Sequence, residues 1–306
     1  MVRQNYKTVS TSTLALIKKV EKSIPHRESD LVHQIISRSA MIRDEVVVMK
    51  ITSHILNNEE LLEKFLKNIA LLHETGARVL MIHDIDTEIL EHALEFFGVD
   101  KAKFKDIQMS DHKSASIVEM VMSGYINKKL VSMLCEMGCN AIGISGKDCD
   151  IIRAEQRVRK VQNDNVVNIG FASDPNMINA EAILMLMESD MLVVFSPIAS
   201  CNNGTTCIID TNVTSALLAT TLTAKYLILP CEDPNIDDGG IIVTDYDRHH
   251  LKQMRADPRS SNDFKLILDT ATSALDNYVD YICITDETMP ESILQAIFCR
   301  ENELVG

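Results

Sequence analysis

Apolar residues recur along this chain in two rhythms, short β-branched runs and longer stretches with helical spacing. Residues 46–49, VVVM, open the series and suit a strand buried on both faces. The run ends on Lys50, and no glycine follows. EELLEKFLKNIALLHETG then predicts a helix that stops at Gly76. RVLMIH reads as a strand and TEILEHALEFFG as a helix. KSASIVEMVMSG and INKKLVSMLCEMG predict two further helices before the strand NAIGIS. DIIRAEQRVRK and NDNVVNIGF predict a hairpin or small antiparallel insertion. AEAILMLMESD is helical and MLVVFSP a strand. In the last third, helix NVTSALLATTLTA precedes strand KYLILP, helices YDRHHLKQMRA and DFKLILDTATSALDN, strand DYICIT and helix PESILQAIFCRE. Repeated strand–helix units predict an α/β fold, an open and mainly parallel sheet sandwiched by helices.

Residues 1–44 lie outside this alternation as a mostly polar N-terminal helical arm. STLALIKKVEKSI has apolar residues at helical spacing until Pro25, and DLVHQIISRSAM gives a second helical piece. Thin apolar stripes of this kind pack on a partner subunit or on the chain's own domain.

Composition narrows the partners. With 306 residues, 46% of them hydrophobic, the chain can build one large domain or two lobes. No apolar run approaches a membrane span, and the first residues lack the core of a secretory signal, so the expected location is cytoplasmic. A net charge of −14 disfavours nucleic acid and acidic membranes. The eight cysteines include no C-x-x-C and are read as reduced packing residues. The histidines show no metal-ligand spacing. Glycine is scarce, at 11 residues.

In open parallel sheets, ligands bind at the carboxyl ends of strands. Four predicted strand ends are polar: Lys50–His54, His83–Asp86, Ser145–Asp148 and Cys231–Pro234. Two lysines converging with carboxylates there would suit phosphoryl transfer, which needs positive charge on the moving group. The plainer alternative for such a lysine is a surface side chain that snorkels to solvent.

Two stretches carry a resemblance. GISGKDCDIIRAEQ, residues 143–156, is similar to the GLSGKDGNLIRAEK segment of N-acetylglutamate kinases, members of the amino acid kinase family. EMVMSGYINKKLV, residues 119–131, resembles their EMVL-G-INKEIV helix pair. The order of elements agrees from about Val46 to the C-terminus. VVVMKITSHIL then falls on the family's VIKYGGNAM, MIHDIDTEI on VVHGGGPQI, IIDTN on NINAD, CEDPNI on TDVPGV and SSNDFK on GGMIPK.

The resemblance implies ATP-dependent phosphorylation of the side-chain carboxylate of N-acetyl-L-glutamate, a step of arginine biosynthesis, with ATP and Mg2+ as cofactors. It implies an N-terminal acyl-amino-acid lobe at residues 45–221 and a C-terminal nucleotide lobe at 222–306. Lys50 would stabilise the transferring phosphoryl group, and Lys265 would assist the nucleotide phosphates. His83, Asp84, Gln108 and Ile208 would fall on the substrate side. Thr52, Ser53, Glu232 and Asn235 would fall on the nucleotide side. The ligand would be a small acidic metabolite and the assembly a homo-oligomer, dimer or hexamer, since arginine-sensitive members interlace through an N-terminal helix comparable to this arm.

The departures are as specific as the matches. Thr52-Ser53, Asp84-Ile85-Asp86, Asn235 and Ser260-Ser261 stand where the family places glycines that let backbone N–H groups approach phosphate. Two like charges about 4 Å apart repel by roughly 4 kcal/mol at an effective dielectric of about 20, so Asp84 and Asp86 oppose anionic ligands unless a metal intervenes. Gln108 replaces the arginine that grips the substrate's α-carboxylate. Asn212 replaces the aspartate that orients both lysines, and Asp210 sits two residues earlier, on the same face of an extended segment. The alternative function is therefore a non-catalytic relative that serves as a regulatory or partner-binding subunit. A kinase with a different acid substrate is a third reading.

Overall fold

A computed structural model describes residues 35, 37–99, 112–160, 166–201, 204–232, 241–243 and 247–298. Most of the arm lies outside the described residues, although 37–42 are helical. Gln108 and Asn235 also lie outside them.

The strands are β1 (Val46–Ile51), β2 (Arg78–His83), β3 (Ala141–Ser145), β4 (Ile152–Lys160), β5 (Val166–Ile178), β6 (Leu192–Ser196), β7 (Ile198–Cys201), β8 (Thr206–Ile208), β9 (Tyr226–Cys231), β10 (Ile241–Val243) and β11 (Tyr281–Asp286). The helices are α1 (Ser53–Asn57), α2 (Glu59–Glu74), α3 (Thr87–Phe96), α4 (His112–Glu119), α5 (Asn127–Glu136), α6 (Glu181–Glu188), α7 (Thr211–Thr221), α8 (Arg248–Ala256), α9 (Asn262–Asp276) and α10 (Ser292–Phe298).

Seven strands form the main sheet in the order β10-β11-β9-β1-β2-β6-β3. Every pairing in it is parallel except that of β10 with β11. Alternation along each strand divides the core into two layers. Val47, Met49, Val79, Met81 and Val194 pack with the buried faces of α2, α5 and α10. Val48, Leu80, Ile82, Val193 and Phe195 pack with α6, α7 and α9. Lys50 continues the side of Val46 and Val48, so it leaves the sheet toward α7. The boundary expected after residue 221 falls between α7 and β9, and β9 pairs directly with β1.

The expected antiparallel insertion is present as β4 and β5. It extends into a second sheet, β5-β4-β7-β8, through a short hairpin that the apolar pattern does not announce. The helix α2 ends as expected, with Gly76 at a φ of +93° that L side chains rarely adopt. The two helices expected on either side of Gly124 are instead continuous, because Met120–Ile126 forms a π-helical segment joining α4 to α5.

The cysteine expectation is corrected at two positions. Cys201 and Cys207 form a disulfide, because the β7–β8 hairpin brings their Cα atoms to 5.8 Å. Cys139, Cys231 and Cys283 are reduced and buried as expected, whereas reduced Cys135 and Cys149 are exposed. Among the described residues, no helix is long and apolar enough to cross a membrane.

Candidate active site

The carboxyl ends of β1, β2, β9 and β11 meet the amino ends of α7 and α9 around a cavity of about 380 Å³. This volume lies within the small-molecule range of roughly 300–1,000 Å³. Lys50, Thr52, Ser53, Asp84, Asn212, Glu232 and Glu287 are all on its wall. Apolar contributions come from Pro230, Leu266 and Ile267.

Lys50 is only 5% exposed, so it does not snorkel. Its Nζ donates to Asn212 Oδ1 at 2.7 Å and pairs with Asp84 Oδ2 at 3.1 Å. Asp84 also accepts from Thr211 Oγ1 at 3.0 Å. Two consecutive residues of α7 therefore hold the lysine and its counter-ion.

Asp210 caps α7 by accepting from the backbone N–H groups of Asn212 and Val213 at 2.9 and 3.1 Å. The side chain that reaches Lys50 is that of Asn212. Asp86 likewise turns away from the cavity, is buried, and caps α3 by accepting from Ile89 N at 3.0 Å. The expectation of two aspartates facing a phosphate is thus corrected to one, Asp84, and its charge is shared with Lys50. Among the described residues no group of three or more His, Cys, Asp or Glu side chains could hold a metal ion.

Thr52 caps α1, accepting from Ile55 N at 3.3 Å, and donates to Glu287 Oε2 at 2.5 Å. Burial pushes the Glu287 carboxyl pKa upward, against the opposing hydrogen bond from Thr52. His83 is fully buried beneath this layer, with its ring Nδ1 2.9 Å from the Asp84 carbonyl oxygen. Burial lowers its pKa to about 4, so the ring is neutral at pH 7.

The remaining sequence candidates are dispersed. Ile208 is buried on β8, paired with Ile198, as part of an apolar layer. Glu232 is exposed at the cavity rim just beyond β9. Lys265 sits half-buried on α9, whose residues Asp263, Leu266 and Ile267 reach the cavity wall. Its charge contributes to holding the Asp257 carboxyl at about 2, a shift caused chiefly by Arg259.

The fourth polar strand end, Ser145–Asp148, does not join the others. It follows β3, at the far edge of the sheet beyond β2 and β6. There Asp148 accepts from Ser145 N and Oγ, and Lys147 donates to Glu119 and Thr206, each at 2.7 Å. Sequence reasoning missed Glu287 and Asp263, whereas Ser261, expected at a lost glycine pair, is on the cavity wall. The same strand-end rule applied to DYICIT would have pointed to Glu287, which directly follows β11.

A family model described as "Amino acid kinase family" matches residues 45–286. An acetylglutamate kinase of Archaeoglobus fulgidus is 30% identical over 262 residues, 83% of this chain and 90% of that protein. An acetylglutamate kinase of Azorhizobium caulinodans is 28% identical, covering 82% of this chain and 85% of that protein. Among solved structures, carbamate kinase from Giardia lamblia bound to AMP-PNP superposes with a TM-score of 0.56 at 11% identity, over 83% of this chain and 97% of that one. N-acetylglutamate synthase from Neisseria gonorrhoeae gives a TM-score of 0.68 at 17% identity over 88% of this chain. This chain spans 60% of the length of that synthase. At these identities the structural matches speak for the fold alone.

Proposed function

The chain belongs to the amino acid kinase family, and from that premise we propose that it transfers a phosphoryl group from ATP to the side-chain carboxylate of N-acetyl-L-glutamate. The observation that carries this reading is Lys50, a buried ammonium on the wall of a ligand-sized cavity at the carboxyl ends of parallel strands. Relatives named acetylglutamate kinase, matched over most of their length, support the choice of substrate.

The cavity fits the nucleotide as a metal complex. Its wall carries Asp84, Glu232, Asp263 and Glu287 against Lys50, an excess of negative charge that a cation arriving with the nucleotide would offset. Pro230, Leu266 and Ile267 offer apolar surface for a base. When bound, ATP supplies the γ-phosphoryl group and Mg2+ offsets its charge.

The chain's own residues supply position and electrostatics. Lys50 places a positive charge where negative charge spreads over the moving group. Asn212 orients that ammonium through a neutral amide, leaving its charge intact for the ligand. Asp84 holds Lys50 until an incoming anion competes for it. Lys265, on the helix that lines the cavity, assists the nucleotide phosphates, and Thr52, Ser53 and Glu232 border them. His83 fixes the backbone of Asp84, and Gln108 contributes to the acid-binding side. Residues 45–221 act as the acid lobe and 222–306 as the nucleotide lobe. The arm supports a homo-oligomer.

One observation favours a second reading. Lys50 is already neutralised by Asp84, and side chains of Thr52 and Ser53 occupy the cavity wall beside it. A non-catalytic subunit retaining the fold would show this arrangement. Trapping acyl phosphate with hydroxylamine distinguishes the two. The proposed function predicts trapped product from ATP, Mg2+ and N-acetyl-L-glutamate, reduced by at least about a hundredfold in Lys50→Met, as for loss of a principal transition-state charge. A folded chain that yields no product would favour the non-catalytic reading.

A further inference from the structure

The four carboxylates on the cavity wall are not equivalent. Asp84 is paired with Lys50. Glu232 and Asp263 are exposed, and water and salt screen their charge. Glu287 is only 7% exposed, and the group bonded to its carboxyl is the neutral hydroxyl of Thr52. A buried charge acts through a less polarisable surrounding and is screened far less.

Its position is also fixed. Thr52 Oγ1 reaches Glu287 from the end of β1 at 2.5 Å, and the backbone N–H of Glu287 donates to Cys231 O at the end of β9. Three strand ends thereby meet at Glu287, and the Thr52 hydroxyl holds its carboxylate at the cavity wall. On this wall His54 and Lys50 act on the Glu287 charge, and Lys50 is itself offset by Asp84.

We propose that Glu287 is a specificity-determining residue of the cleft: its buried carboxylate, locked to Thr52, admits a polyphosphate together with a divalent cation and rejects the uncomplexed anion. The inference rests on the reading of the cavity as a nucleotide site. It adds a residue that the sequence resemblance does not supply. Glu232 and Asp263 contribute to the same field but, facing solvent, do not set the discrimination.

Calorimetric titration tests it with ATP in the presence of excess Mg2+ and with ATP in a chelator, at matched ionic strength. The full chain and Glu287→Gln are compared. The amide keeps the shape and still accepts from Thr52, while the charge is removed. The native chain is expected to prefer MgATP by about tenfold or more, the factor that follows from one poorly screened like charge. In Glu287→Gln the metal-free ligand should tighten until the preference falls below about threefold. An unchanged preference in the folded variant would overturn the proposal. So would magnesium-independent ATP binding by the native chain, a result that leaves the nucleotide-site reading standing. No ATP binding by either protein in either condition would overturn both. Neutral adenosine gives a second measurement on the native chain, should the variant not fold. Its binding should be insensitive to Mg2+, and a magnesium requirement as large as that of ATP would sink a gate acting on phosphate charge.

Discussion

A buried lysine near the end of a strand needs partners for its ammonium, and here they come from elements distant in sequence. Asn212 and Asp84 supply them across the end of the sheet. His83 beside them is the residue whose protonation most directly reports the integrity of this layer. Burial lowers its pKa to about 4 from an ordinary 6.5. The unfolded chain therefore binds a proton at higher pH than the folded one. The stability that His83 contributes is complete above about pH 6.5 and is lost as pH falls through 4. At ~1.4 kcal/mol per unit the loss is about 3 kcal/mol. Denaturant unfolding between pH 7 and pH 4 should show it, and His83→Gln should flatten that slope relative to the native chain. Equal slopes in the two proteins would mean that other groups govern acid sensitivity. At this scale the sequence was informative about Lys50, because a polar residue closing a β-branched run breaks a clear pattern. Glu287 was not legible in the same way, since its burial depends on Thr52 and Cys231, far away along the chain.

Elements with strong periodicity were readable, and those set by contacts were not. The strands of the parallel sheet and helices such as α2 and α9 carry their pattern in their own residues. The β7–β8 hairpin is short, its strands spanning four and three residues, and its form depends on pairing with β4 and on the Cys201–Cys207 bond. The π segment between α4 and α5 leaves no periodic signature either, since it shifts the helix phase without a break. It precedes Asn127, which is buried and donates to Val194 O at 3.0 Å. That side chain packs directly over Gly143 of the edge strand β3. A Cβ added at Gly143 would lie 1.9 Å from Asn127 Oδ1 and 2.7 Å from Lys128 Nζ. Gly143 is therefore required for close approach of helix and strand rather than for its backbone conformation. Gly143→Ala should destabilise the chain by about 1–3 kcal/mol through overpacking and loss of the Asn127 bond. The double variant Gly143→Ala/Asn127→Ala should recover part of the loss. Additive losses in the double variant would show that the clash is not the cause.

The whole molecule poses a question of cooperativity that the cavity can answer. The two proposed lobes are not separate sheets, because β9 of one half hydrogen-bonds to β1 of the other, and β11 and β10 continue outward from β9. The cavity wall is likewise drawn from both halves, with Lys50, Asp84 and Asn212 on one side and Glu232, Asp263 and Glu287 on the other. A shared sheet couples the halves through backbone bonds and through two apolar layers that cross the proposed boundary. Heat should accordingly produce one unfolding transition rather than two. A ligand that bridges the halves should move that transition as a unit. At about a hundred times its dissociation constant, such a ligand adds about 2.7 kcal/mol, which in a chain of this size corresponds to a rise of several degrees. MgATP should produce this shift in scanning calorimetry, and N-acetyl-L-glutamate should add to it if its site is the same cleft. Two separated transitions, with nucleotide moving only the one assigned to residues 222–306, would show that the lobes unfold independently. A single transition that neither ligand moves would leave the sheet coupling intact and argue instead for the non-catalytic reading, in which the fold is kept and the cleft is closed to both ligands.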